Sequence, residues 1–142
     1  MSADPFRLQR FADAQAPVWD DVTAELRAGR KRTHWMWFVF PQLAALGRSG
    51  TARFFGIAGA EEARAYLEHP VLGPRLLECC DLLLAVRDRS ATEVFGEVDA
   101  MKLRSCLTLF EAVAPGSRAF SECLEAWFGG QRDPLTTALL AR

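Results

Sequence analysis

Asp99, Lys102 and Ser105 stand at i, i+3 and i+6, so a helix through them sets a carboxylate, an ammonium and a hydroxyl along one side. Such a set could hold a polar ligand or activate the hydroxyl. Lys102 is the sharpest of the three. The chain carries 15 Arg against 2 Lys, Lys31 and Lys102, so its generic surface cations are arginines, and a compact ammonium kept here points to a specific role. A purely structural role competes: Asp99 caps the helix, Lys102 pairs with it, and Ser105 bonds back to the helix backbone. Ser105 as a nucleophile has little support, because no histidine is close in sequence and no oxyanion-stabilising motif is visible. No catalytic residue is assigned, and the sequence leaves open whether the protein is an enzyme.

A second segment mixes cations with aromatic rings: Arg30-Lys31-Arg32-Thr33-His34-Trp35-Met36-Trp37-Phe38-Val39-Phe40-Pro41-Gln42. Lys31, Arg32 or His34 beside a floor of Trp35 and Trp37, with Gln42 at the end, would suit a small anionic, nucleotide-like ligand. The competing reading makes these rings plain core, with His34 bonding locally. The ligand reading expects residues 31–42 and a helix over 99–108 to converge on one concave site. Its candidate binding residues are Lys31, Arg32, His34, Trp35, Trp37, Gln42, Asp99, Lys102 and Ser105. The alternative is a non-catalytic protein-interaction module, which expects Trp127-Phe128 or Trp35 in an exposed apolar patch.

Other chemistries lack their signatures. No Gly-rich phosphate loop of either common pattern is present. Cysteines 79, 80, 106 and 123 show no CxxC spacing, and they read as buried free thiols in a reducing compartment rather than as disulfides or metal ligands. No metal and no cofactor is expected. Seventeen basic and 18 acidic residues are well mixed and sum to −1, which argues against a nucleic-acid face. The start, MSADPFRLQRF, has no apolar signal core, and the run Trp35 to Phe40 is too short to span a bilayer. A soluble, cytoplasmic protein is the expectation.

The elements that must position these residues are helices. Alanine (22) and leucine (18) far outnumber valine (8) and isoleucine (1), a balance that favours helix over sheet. The 142 residues suit a single all-α domain of seven or eight helices, with a short irregular or strand segment near 51–59. Asp4-Pro5 should start a first helix, and Pro17 a second that Gly29 stops, the two forming a hairpin. Thr33 should cap a short central helix that Pro41 ends. A helix over 60–68 breaks at His69-Pro70, where His69 should close it. The longest helix should run from Val71 to about Asp88. Ser90 then caps one turn, Asp99 caps a helix with Leu103, Leu107 and Phe110 inward, and Ser117 caps the next. Asp133-Pro134 starts the last, a short helix with Leu135, Leu139 and Leu140.

The strings GRKRTHWMWFVFPQL (29–43), AYLEHPVLGPRL (65–76), VFGEVDAMKLRSCLTLF (94–110) and DPFRLQRF (4–11) resemble the DUF1810 family. These are small bacterial and fungal proteins of unknown function, sometimes labelled calpastatin-like. The resemblance covers nearly the whole chain and implies an all-α fold. It supplies no activity, substrate or catalytic residue. The label would imply a calpain inhibitor; such inhibitors are disordered repeats, whereas this chain, half apolar, reads as a folded domain.

Overall fold

Local capping chemistry sets where the chain turns. In the computed structural model, which describes residues 4–142, the Asp4 carboxylate accepts the N–H groups of Leu8 (2.7 Å) and Gln9 (3.0 Å). It thereby caps α1 (Gln9–Gln15) from upstream, and residues 5–8 turn before the helix begins, so Pro5 is not its first residue. The expected hairpin does not form. Gln15, Ala16 and Trp19 all keep right-handed helical dihedrals, so Pro17 sits in a 3₁₀ turn (Ala16–Val18) that carries the chain onward into α2 (Trp19–Ala28). Gly29 ends α2 with φ +69°, a left-handed conformation suited to glycine.

The central aromatic segment forms one turn, α3 (Met36–Val39). Thr33 does not cap it; its hydroxyl donates instead to the Glu25 carboxylate at 2.6 Å. Where a strand or irregular run was expected, residues Gly50–Phe54 form α4, and the Ser49 hydroxyl accepts the Ala52 N–H. Among the described residues extended pairing is limited to an isolated parallel bridge between Leu43 and Ile57.

The rest of the chain forms α5 (Ala60–Glu68), α6 (Leu72–Ala85), α7 (Ala91–Phe95), α8 (Glu97–Val113), α9 (Arg118–Phe128) and α10 (Pro134–Leu140). His69 closes α5, its backbone N–H donating to the Tyr66 carbonyl at 3.2 Å, and its Nδ1 also accepts the N–H groups of Val71 and Leu72 at 3.1 and 3.2 Å at the start of α6. Ser90 and Glu93 make a reciprocal capping box on α7. The α8 helix starts directly after Gly96, not at Asp99, and with 17 residues it exceeds the 14 of α6. Ser117 precedes α9 without a side-chain cap bond. Among the described residues, seven helices have seven residues or more and three are single turns.

The α8 helix is the central post. It packs against α5, α7, α9 and α10, while α6 packs against α2, α5 and α9. Phe11, Trp35, Phe40, Tyr66, Leu76, Leu107, Phe110 and Phe120 are all buried between them, and this apolar burial is the main stabilising term of the fold.

Candidate functional site

The core-facing stripe of α8 is Leu103, Leu107 and Phe110, all buried. A second side carries Val98, Met101, Lys102 and Ser105 at i, i+3, i+4 and i+7. Val98 and Met101 remain 67% and 68% exposed. Across from them stands Leu135 of α10, 64% exposed, because the helix turns it outward and buries Thr136 instead. The remaining wall is Gln42, Leu46, Arg48, Ser49 and Ala52, around the Leu43–Ile57 bridge. With Arg104 and Asp133 these residues enclose a cavity of about 550 Å³, within the size range of small-molecule sites.

Its electrostatics follow from how two carboxylates are used. Lys31 Nζ lies 3.0 Å from Asp99 Oδ2, donates to the Thr33 carbonyl at 2.6 Å and sits 5.0 Å from the Trp35 ring. Asp99 is therefore largely neutralised by Lys31. Lys102 reaches only to 4.0 Å from Asp99 Oδ1 and 5.4 Å from the Trp37 ring, with no hydrogen bond among the described residues, so its three donors stay available. Arg104 comes no closer than 3.9 Å to Asp133 Oδ1.

Asp133 is itself already saturated on one oxygen. Its Oδ2 accepts from the Thr136 hydroxyl (2.6 Å), the Ser105 hydroxyl (2.9 Å) and the Thr136 N–H (3.2 Å). Burial pushes the carboxyl up, but these donors outweigh it and hold Asp133 below its ordinary 3.8. A carboxylate so held is a weak base. The Ser105 proton is engaged with Asp133 or the Met101 carbonyl at 3.1 Å, so the geometry favours holding a ligand over activating the hydroxyl.

The structure distributes the sequence-derived candidates unevenly. Gln42, Lys102 and Ser105 line the cavity. Trp37 borders a void of about 10 Å³ alongside, which shares Gln42, Ala52 and Lys102 with it. Lys31 and Asp99 form the ion pair near Lys102. Arg32 and His34 are exposed and line neither space. Trp35 is buried, its indole N–H donating to Glu25 Oε1 at 3.0 Å. The aromatic segment thus contributes its C-terminal end. Arg48, Val98, Met101, Arg104, Asp133 and Leu135 were not singled out. Val98 and Met101 did carry a signal: they are apolar at helical spacing but off the Leu103 stripe. Asp133 was read only as a cap, a role it also fills. Nothing in the sequence marks Arg48. Among the described residues no group of His, Cys, Asp and Glu is placed to hold a metal ion.

The model of a family described as a protein of unknown function, DUF1810, matches residues 5–140. In three dimensions the chain is similar to the conserved hypothetical protein Rv1873 from Mycobacterium tuberculosis, known from a crystal structure at 1.38 Å. The two are 53% identical and superpose with a TM-score of 0.96 over 98% of this chain and 99% of that one. No curated protein matches the chain.

Proposed function

Since the chain belongs to the DUF1810 family, whose function is unknown, the site itself must carry the reading, and we propose that the protein binds a small anionic molecule in the cavity beside α8 and α10. The observation that carries this is the under-compensated Lys102. Its ammonium lines a cavity of about 550 Å³ together with Arg48 and Arg104, while the nearest carboxylate is committed to Lys31 at 3.0 Å. Arg48 has no ion-pair partner among the described residues. An anion entering here gains charge-assisted hydrogen bonds at sites otherwise left to water. A nucleotide or a phosphorylated metabolite is within this class.

A second reading, a protein-interaction module, draws on the exposed Val98, Met101 and Leu135; of the aromatics it expected at the surface, Trp35 is buried and Trp127 and Phe128 are half-buried.

The test is a thermal-shift screen against nucleotides, sugar phosphates and organic acids, run on the natural chain, Lys102→Ala and His34→Ala. A ligand at a hundred times its Kd stabilises by about 2.7 kcal/mol. A hit should weaken by tenfold or more in Lys102→Ala, which loses a charged hydrogen bond of about 1.5–3 kcal/mol. His34→Ala, away from the cavity, should bind normally. A screen without hits transfers the weight to the interaction module.

A further inference from the structure

We infer that the occupant of this cavity is an aliphatic chain bearing one terminal anionic head, a carboxylate or a phosphate monoester, rather than a nucleotide; this rests on the anion-binding reading above. The lining decides between the two. Recognising a nucleobase ordinarily uses an exposed aromatic face for stacking, and the large cavity has no aromatic residue in its wall. Trp37 and Phe40 border only the neighbouring void of about 10 Å³, too small for a base, and the Lys102 ammonium lies over the Trp37 ring at 5.4 Å.

The wall is instead aliphatic. Val98, Met101 and Leu135 leave roughly two-thirds of their surface in water, and Leu46 and Ala52 complete it. A flexible methylene chain is the partner such a surface covers best, and methionine adapts to it readily. The cations define where the head goes. Lys102 lies on the same side of α8 as Val98 and Met101, so an anion held at its ammonium places its tail directly along those side chains. The head, singly charged as a carboxylate and up to doubly charged as a phosphate monoester, meets Lys102, which has no hydrogen-bonded partner among the described residues, while Arg48, Arg104 and Gln42 border the same cavity.

Binding of soluble probes tests this: octanoate, octyl phosphate, 1-octanol, acetate and AMP, each by isothermal calorimetry, with amide chemical shifts of residues 98–105 as the locator. Octanoate or octyl phosphate should bind at least tenfold tighter than 1-octanol, acetate or AMP, and whichever of the two is tighter identifies the head. From butanoate to octanoate each added pair of methylenes should tighten binding by about 15-fold where both are buried. Lys102→Met, which keeps the side-chain stem, should bring octanoate down to the level of 1-octanol. The exposed-site variant Met101→Ser should flatten the chain-length series with folding intact. If AMP binds more tightly than octanoate and in a Lys102-dependent way, the aliphatic inference is overturned while the anion site stands. Equal binding of 1-octanol and octanoate overturns both, and so does the absence of binding by every probe at millimolar concentration.

Discussion

At the scale of single residues, Glu25 gathers four hydrogen bonds outside the cavity. Its Oε1 accepts the N–H groups of Arg32 (2.6 Å) and Thr33 (2.9 Å) and the Trp35 indole (3.0 Å), while Oε2 accepts the Thr33 hydroxyl (2.6 Å). One carboxylate thus ties the 30–35 loop to α2 and orients the chain entering α3. Replacing it by alanine leaves several of these donors without a partner, two of them backbone. Glu25→Ala should lose about 3 kcal/mol, read from the urea midpoint. The same bonds set a pH dependence. Burial pushes the Glu25 carboxyl up, but its donors prevail, and both Glu25 and Asp133 lie below their ordinary values of 4.5 and 3.8. The unfolded chain therefore binds these protons first. The stabilisation is complete above the ordinary values and is lost as the pH falls through them towards the folded-state values. Urea midpoints should stay level from pH 7 to 5 and drop steadily below about pH 4.5; Glu25→Ala should drop less steeply.

Two glycines show how elements, rather than residues, hold the cavity in shape. A Cβ on Gly73 would lie 2.0 Å from the Leu67 carbonyl oxygen, and a Cβ on Gly56 would lie 2.3 Å from Ala44 Cα. Both neighbours are backbone, so neither can simply rotate away. Gly73→Ala pries α6 from the end of α5, and neither helix lines the cavity. Gly56→Ala pushes on the bridge between Leu43 and Ile57, and so on Gln42 and Leu46 of the wall. Each should cost about 1–3 kcal/mol as an overpacked contact. The readouts should then separate: Gly56→Ala should also weaken the ligand-induced thermal shift, whereas Gly73→Ala should leave it unchanged. Much of the element order was legible in the sequence because it rests on local signals: Gly29 after α2, the Ser90 and Glu93 box, Asp133-Pro134 before α10. What was not legible depended on neighbours in space. Pro17 looks like a helix start in isolation, yet it sits inside a 3₁₀ turn, and the break before α2 falls one residue later, at Val18 with φ −116° and ψ 2°.

At the scale of the whole molecule, the cavity joins positions that no local pattern connects. Ser105 bonds Asp133 across 28 residues, and Gln42 shares a wall with Lys102 and Leu135. Lys102 could be found from its rarity. Arg48 and the outward turn of Leu135 could not, since α10 turns inward with Thr136, the Asp133 bonds and, in part, Leu139 and Leu140. The same global packing governs the cysteines. Cys79 and Cys80 on α6, Cys106 on α8 and Cys123 on α9 are fully buried and free, and burial pushes the Cys79 and Cys106 thiols up. The reactive thiolate is thus suppressed twice, by protonation and by exclusion of reagent. A disulfide reagent such as DTNB can reach them only when these three helices separate, which is close to global unfolding. Labelling should be slow in buffer and should accelerate with urea well below the midpoint, with a slope matching the equilibrium m-value when reclosing outpaces reaction. Under that condition the rate reports stability, so Glu25→Ala, destabilised by about 3 kcal/mol, should label about a hundredfold faster. Fast labelling of the natural chain, unaffected by Glu25→Ala, would show instead that α6, α8 and α9 part locally.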